Sequence, residues 1–481
     1  MLTRKTQKWL LIVLLCLAGT QASAQLALAE TSIIYSTSDA GRTTDTTAVY
    51  TIREISIEGN KRTKDKIILR ELSFGEGEQY PLSELIRKFN NARMQLMNTT
   101  LFESVVVSLE SLRGAEAIVN VSVTERCYVF PTPFIKIVGQ SFQDWCKSMN
   151  FEQVNYGIKL KQKNISGLND QADLKWSNGY TKELSLTYSG LAIDHDLKWS
   201  AGFSVGHGQA RDVAYCTEGN KRMNFNNANR FIYAYTSGMM SLTYRPAIRT
   251  KHTFGIGYTH QTFSDSLGKM NAKFSNRTST VTYPEIFYNL QYQDLDFIPY
   301  PTKGYAANFL FQKRGFNSAV DLCQLTARTT AFWPLSVSSF INLQVTGTIK
   351  LPFEQPYTQQ GFVGQNGMFL QGYEDYVIDG VAGGFAKASF NYSLLQHDFH
   401  IASKKFKQLN NIPLKVYGKV FGDAGYVYNT SPGTNFLNNR ALYSGGAGID
   451  IVLFYDVIFR FEYSFNHLGQ NGLYLHDKNN L

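Results

Sequence analysis

From about residue 130 to the end of the chain, apolar and polar residues alternate with a period of two. Val154, Tyr156, Ile158 and Leu160 interleave Asn155, Gly157, Lys159 and Lys161. Leu184, Leu186 and Tyr188 interleave Glu183, Ser185 and Thr187, and Ile341, Leu343 and Val345 interleave Asn342, Gln344 and Thr346. Phe459, Phe461, Tyr463 and Phe465 interleave Arg460, Glu462 and Ser464. A period of two is the mark of strands with unlike faces. In a soluble sandwich the apolar face would turn to a core. Here the polar face carries Lys, Arg and Glu, and the apolar face is broad and aromatic. Lipid outside and water inside satisfy both faces, which predicts a transmembrane β-barrel.

Composition agrees. Charged residues are 18% of the chain, against about 25% in ordinary soluble proteins. Aromatics reach 14%, and the mean hydropathy is only −0.22, which excludes a helical membrane protein. An apolar content of 43% excludes disorder for most of the chain. The net charge of +9 is scattered along strands and connections without a basic block. It therefore suits anionic lipid headgroups or lipopolysaccharide better than nucleic acid.

Sixteen antiparallel strands are predicted over 130–481, starting near 133, 153, 170, 181, 199, 231, 252, 280, 304, 320, 338, 382, 413, 441, 456 and 471. That leaves ~22 residues per strand and connection, a workable spacing for a barrel. The long connections 209–230, 264–279, 351–381 and 428–440 fall on one side, and the short ones 191–198, 246–251, 294–303 and 333–337 on the other. The segment 396–412 is the exception, long and basic on the short-turn side.

The N-terminal end carries an address. Trp9 to Ala18 is the single continuous apolar run, preceded by Arg4, Lys5 and Lys8 and followed by Ala22-Ser23-Ala24. Residues 1–24 read as a secretory signal peptide. The run is shorter than the ~20 residues a spanning helix needs. Residues 25–49 read as a flexible leader, rich in Ser, Thr, Ala and Asp.

Residues 50–125 read as a small α+β domain of order βααββ. A strand over Tyr50 to Ile57 ends at the turn signal Gly59-Asn60, and Thr63 is placed to cap a helix running to Leu72. A second helix follows Pro81, with Leu85, Ile86, Phe89 and Leu96 in phase. Two strands close the domain, one with Val105, Val107 and Leu109 on a face, the other with Val119, Val121 and Val123.

No pattern asks for a catalytic residue, a metal or a cofactor. Cys127, Cys146, Cys216 and Cys323 have no ligand or redox spacing, and the eight His residues form no H-E-x-x-H. One or two disulfides are compatible with those cysteines, with no pairing favoured. Gly202-Phe203-Ser204-Val205-Gly206 spells G-x-S-x-G, but a nucleophile elbow needs a strand-turn-helix, and Ser204 sits inside an alternating strand.

Several motifs carry a resemblance. Ile57-Glu58-Gly59-Asn60, Leu101-Phe102 and the βααββ order resemble a POTRA domain. The turn Asp296…Pro301-Thr302-Lys303-Gly304 is similar to the D…P-T-x-G turn of the BamA/TamA-type outer-membrane assembly superfamily, the bacterial surface antigen barrels. Phe421-Gly422-Asp423-Ala424-Gly425 resembles that family's F-x-D-x-G strand, with Asp423 facing the lumen alongside Phe421 and Gly425. Leu370-Gln371-Gly372-Tyr373 resembles its [LV]-R-G-[FY] loop motif, with Gln371 in place of the Arg. A neutral amide cannot make that Arg's charge-assisted fork. Lys313-Arg314-Gly315-Phe316 also spells R-G-F but sits at a hairpin end.

The resemblance implies a barrel in the bacterial outer membrane with its POTRA-like domain in the periplasm. It implies a non-enzymatic role without cofactor, in insertion, assembly or translocation of proteins. Unfolded outer-membrane or secreted proteins would be the clients, with outer-membrane lipids and accessory assembly proteins as further partners. The client would be received on the edge strand Phe102 to Leu109, which carries Phe102, Val105, Val107 and Leu109. It would then be templated at the seam between first and last strands. Pro131 and Pro133 near the first strand remove ladder donors and weaken that seam. The alternative from another class is a pore, or a barrel that transports lipid or solute.

Overall fold

The computed structural model describes residues 48–137, 154–227, 229–275, 278–317, 320–364, 368–400, 411–453 and 456–476. The signal peptide and nearly all of the leader lie outside the described residues.

The first domain is built from β1 (Val49–Glu58), α1 (Asp65–Glu71), β2 (Gln79–Pro81), α2 (Leu82–Asn98), β3 (Phe102–Arg113) and β4 (Glu116–Glu125). Its sheet has the order β2-β1-β4-β3, with β1 parallel to β4 and β3 antiparallel to β4. The three-residue β2 adds to the expected βααββ order. Both helices lie on one face of the sheet. Ile67, Ile68, Leu85, Ala92 and Leu96 are buried against Ile52, Val105, Val119 and Val121. Each fully buried aliphatic side chain contributes roughly 1.5–3 kcal/mol, which is how so thin a layer holds together. Gly59 has φ +90°, and a Cβ there would fall 1.9 Å from the Val123 carbonyl oxygen, so the turn after β1 requires glycine. Thr63 does not cap α1. Lys64 precedes the helix without a side-chain cap, while the Thr63 hydroxyl bonds the Tyr128 hydroxyl at 3.0 Å and accepts from Asn164 Nδ2 at 2.9 Å. Docking to the barrel has claimed that side chain.

Sixteen strands form the second unit. They are β5 (Val129–Ile137), β6 (Val154–Lys163), β7 (Gln171–Gly179), β8 (Thr181–Ala192) and β9 (Trp199–Ala210). After a projecting hairpin of β10 (Asp212–Glu218) and β11 (Lys221–Asn226) come β12 (Tyr233–Ala247), β13 (Thr250–Phe263), α3 (Asp265–Met270), β14 (Thr280–Leu295), β15 (Gly304–Asn317), β16 (Val320–Pro334) and β17 (Ser339–Leu351). The connection after β17 contains α4 (Tyr357–Gln360), β18 (Gly361–Val363) and β19 (Ile378–Asp379). The sheet then ends with β20 (Ala382–His400), β21 (Asn411–Tyr428), β22 (Ala441–Val452), β23 (Ile458–Asn466) and β24 (Asn471–His476). All sixteen pair antiparallel in sequence order. Each starts within four residues of its predicted position, the widest gap being 129 against 133 at β5. Of the long connection expected at 396–412, both ends are strand, since β20 runs to His400 and β21 begins at Asn411; residues 401–410 lie outside the described residues.

The outer wall is apolar, with Leu184, Phe254, Ile256, Val345, Phe461 and Leu475 all exposed. Inward positions hold Lys419, Asp423, Asp450 and Glu462, all buried. No described helix is long and apolar enough to cross a membrane. Of the mature-chain cysteines, Cys127, Cys216 and Cys323 are free, and Cys146 lies outside the described residues.

Candidate functional site

Three places bear on function: the free edge of the first domain, the filled lumen and the seam of the barrel.

β3 is an edge strand of its sheet, as the resemblance implied. The side chains of Phe102, Val105, Val107 and Leu109 are buried in the domain core, so what they offer a partner is backbone. Part of that edge is already occupied. Arg93 Nε on α2 donates to the Val105 carbonyl at 3.3 Å, and Arg126 Nε donates to the Phe102 carbonyl at 2.6 Å. Antiparallel alternation then turns the N–H and C=O of Val107 and Leu109 to the same free side as the Val105 carbonyl. A cavity of about 470 Å³ lies beside this edge, between Met94 and Met97 of α2 and Phe297, Phe340 and Tyr417 of the barrel mouth.

The first domain docks across one end of the barrel through its short turns. Arg245 forks onto Glu71 with bonds of 2.5 and 2.8 Å, and Arg70 adds a third at 3.0 Å. Arg126 pairs with Asp456 at 2.6 Å. Asn98 at the end of α2 donates to the Leu295 carbonyl and accepts from the Ile298 N–H, at 2.9 and 2.8 Å. Burial works to raise the Glu71 carboxyl's pKa, but its arginine partners win and hold it below the usual carboxylate range.

The turn motif is formed as its residue types require. Asp296 accepts from the Thr302 N–H at 3.0 Å and from its hydroxyl at 2.6 Å. Gly304 takes φ +108°, where a Cβ would fall 2.0 Å from the Asp294 carbonyl oxygen. Pro301 follows Tyr300, and this aromatic was missed by the sequence reading. Tyr300 folds back into the lumen, stacks on Tyr417 with centroids 4.7 Å apart and donates to Asp450 at 3.1 Å.

From the opposite end the connection 352–381 also enters the lumen. Leu370, Gln371, Gly372 and Tyr373 are all buried. The Gln371 N–H donates to Asp423 at 3.1 Å, and the Gly372 carbonyl accepts from Asn466 at 2.6 Å. The Tyr373 hydroxyl donates to the Tyr443 carbonyl at 3.0 Å. Asp423 and Phe421 point inward as expected, and Gly425 lies two residues on, opposite Phe385.

The cation that the loop lacks is supplied by the wall. Lys387 on β20 lies directly across the ladder from Asp423 on β21. Its ammonium sits 3.8 Å from the ring centroid of Phe369, one residue before the loop motif. Phe369 stacks in turn on His476 of the last strand, at 4.8 Å. The loop base is held by Lys350, which donates to the Gln359 and Gly361 carbonyls at 2.9 and 2.7 Å. Arg314, from the apparent chance R-G-F, bonds Gln359 at 3.2 Å and pairs with Glu285 at 2.7 Å. Between the loop and Tyr300 remains a cavity of about 130 Å³, lined by Lys387, Lys419, Asp450, Arg460 and Glu462 among others.

Among the described residues the G-x-S-x-G serine is bonded to no acid or base. Ser204 lies within β9, and its hydroxyl bonds that of Thr187 at 2.9 Å. Among the described residues no His, Cys, Asp and Glu group is placed to hold a metal.

The seam is the third feature. Among the described residues no ladder joins β5 to β24, so the sixteen-stranded sheet has two ends.

Comparison with known proteins agrees with this arrangement. Residues 50–126 match the family model described as POTRA, surface antigen variable number repeat, and residues 164–465 match the Omp85 superfamily domain. A stretch of 93 residues, 19% of this chain, is 34% identical to the outer membrane protein assembly factor BamA of Neorickettsia risticii, and spans 12% of that protein. The fold is similar to that of BamA from Haemophilus ducreyi lacking POTRA domains 1–3, with a TM-score of 0.51 and 18% identity, over 91% of this chain and 84% of that one. It is also similar to CdiB from Escherichia coli, with a TM-score of 0.51 and 12% identity, over 89% of this chain and 74% of the other.

Proposed function

This chain belongs to the Omp85 superfamily, outer-membrane barrels that carry POTRA domains in the periplasm and catalyse no covalent chemistry, and from that premise we propose that it assists the insertion, assembly or translocation of proteins at the outer membrane. The client is an unfolded outer-membrane or secreted protein. It adds to the free edge of β3 beyond the arginine caps, from Val107 onward, and passes to the seam of the barrel. An unpaired edge offers N–H and C=O groups in the spacing an extended chain needs. Strand pairing replaces covalent chemistry throughout.

The observation that carries this reading is a seam without a ladder among the described residues, beside a POTRA domain docked on the barrel through buried ion pairs. A pore or solute-transport reading meets the opposite observation. Tyr300 reaches into the lumen from the periplasmic end and the loop motif from the other, and a cavity of about 130 Å³ lies between them.

Photocrosslinking amino acids at the exposed Val106 and at Ser108 of β3, in living cells, test the reading. Capture of unfolded barrel or secreted proteins is expected. Capture of lipid or of the chain itself alone would overturn it in favour of lipid transport, with the POTRA domain as a spacer.

A further inference from the structure

A polar cavity of about 270 Å³ lies inside the periplasmic mouth of the barrel, under the POTRA domain. The end of α2 covers it, and the inner wall of β6, β8, β13 and β14 forms its floor. Strand phase decides which side chains reach it. Lys251 alternates with Phe254 and Ile256, which face lipid, and Lys163 alternates with the lipid-facing Tyr156 and Ile158. Both lysines therefore stand on the lumen face. Arg245 and Arg249 also line the cavity, and Glu71 and Asp170 are the acids in its lining among the described residues.

The charges in this chamber do not cancel. Glu71 is already held by Arg245 and Arg70. Arg249 pairs with Asp294 at 3.0 Å. Asp170 turns its carboxylate to the Ser166 N–H, at 2.9 Å, and to the Tyr188 hydroxyl. Lys163 donates to the Thr100 hydroxyl at 2.8 Å and has no carboxylate within ion-pair distance. Lys251 makes no hydrogen bond and no close ion pair with any described residue. Two ammonium groups thus face one chamber without a counter-charge, and walls of low dielectric focus their field on it. Neutral donors stand beside them. Gln95 on α2 and Gln291 and Gln293 on β14 line the chamber, and their side-chain amides bond no other described residue. The Leu96 and Met97 carbonyls, which would repel an anion, accept instead from the Thr99 and Thr100 N–H groups at 3.1 and 3.0 Å.

We propose that this chamber binds a phosphate group, as the free ion or as the monoester of a small solute, held by Lys163 and Lys251. The two ammonium groups match the charge of about −1.5 to −2 that a phosphomonoester carries near pH 7. The glutamine amides supply donors for its remaining oxygens. A lipid headgroup does not reach the site, because both lysines lie on the lumen face of the wall. The ligand contacts the POTRA domain through Gln95 and Thr100 and the barrel through the lysines, so it bridges the two units. An anion that binds only where both units meet stabilises the docked state by linkage. The site is independent of how a client is handled.

The test uses the full chain folded in detergent micelles, dialysed to equilibrium against radiolabelled inorganic phosphate and, separately, glycerol phosphate. Saturable uptake of one anion per chain is expected. Tighter uptake of glycerol phosphate would assign the site to a phosphorylated solute, and tighter uptake of inorganic phosphate to the free ion. In K163M/K251M the affinity should fall about tenfold or more, because two charge-assisted hydrogen bonds are lost. K182M removes the same charge at the far end of β8 and should bind like wild type. Heat-modifiable gel mobility confirms that each variant is folded. Undiminished binding in folded K163M/K251M, or equal displacement by chloride at the same ionic strength, would overturn the site. Uptake of a Glu-rich peptide with neither phosphate compound bound would overturn the ligand class. Bound phosphate should also slow hydrogen exchange of residues 95–101 severalfold. Binding without that slowing would overturn the bridge to the POTRA domain.

Discussion

At Lys387 a positive charge stands where the resemblance led one to look for it on the loop. The family motif places an Arg in the loop and an Asp on the wall. Here the loop brings Gln371, and both charges sit on the wall, Lys387 opposite Asp423. The loop is held by its backbone N–H on Asp423 and by Phe369 over the Lys387 ammonium. Lys387→Met removes the cation from both partners. The expected cost is about 0.5–2 kcal/mol of loop attachment, from the contact with the Phe369 ring, seen as severalfold faster proteolysis within 351–381 of the folded barrel. Lys387→Arg should keep the wild-type rate. In the Lys387→Met background, Gln371→Arg should slow cleavage again, because it returns a cation to Asp423. If Lys387→Met is cleaved no faster than wild type, the wall cation does not hold the loop. Lys387 was hard to find in the sequence because it sits between two alanines in an ordinary inward phase. Its meaning comes from register, and a slip of one residue would have sent it to the lipid face.

Among the elements, the turn between β14 and β15 puts Tyr300 in the lumen, where we read it as a stopper. Its backbone was legible: Asp296, Thr302 and Gly304 are chosen by turn chemistry, and the structure uses each for that purpose. Strand starts were legible too, because a two-residue period repeated sixteen times leaves little freedom in phase. Turn chemistry does not say which pocket a neighbouring side chain will fill. Tyr300 inserts between Phe340 and Tyr417, and only the closed curvature of the barrel brings those strands within reach. Likewise Thr63 had every local reason to cap α1, and long-range bonds to Tyr128 and Asn164 outcompeted the cap. Tyr300→Ala should open the periplasmic half of the lumen and lower stability by about 3–5 kcal/mol. Planar-bilayer recordings should show more frequent and larger openings than wild type. Tyr300→Phe keeps the stack on Tyr417, loses only the bond to Asp450, and should stay close to wild type. Equal conductance in wild type and Tyr300→Ala would mean that the turn is not the stopper.

For the whole molecule the question is whether the POTRA domain is a rigid extension of the barrel or a swinging arm. The docking is built on ions taken out of water. Glu71 is 1% exposed and answers Arg245 and Arg70, which are 16% and 23% exposed. Such a cluster is costly to break from one side, because a lone buried charge remains. Glu71→Gln should therefore weaken docking by about 3 kcal/mol and free the domain to move. The same carboxylate sets a pH window. Its pKa in the docked state lies below the usual value, so its contribution is complete above the usual carboxylate range and is lost as pH falls through the lowered pKa. Docking should accordingly hold at neutral pH and begin to loosen only below about pH 4. Asp456, paired with Arg126, is a second acid in the same interface, so acidification alone does not isolate Glu71. Comparison with Glu71→Gln does. Hydrogen exchange of α1 and of the turn 193–198 should rise on acidification in the wild type, and should be already raised and flatter with pH in the variant. A wild type and a Glu71→Gln variant with the same acid profile would place the docking energy elsewhere in the interface. A domain held this firmly presents the β3 edge at one fixed position beside the barrel mouth. On the proposed assembly role, delivery of a client to the seam then requires the chain to travel, not the domain.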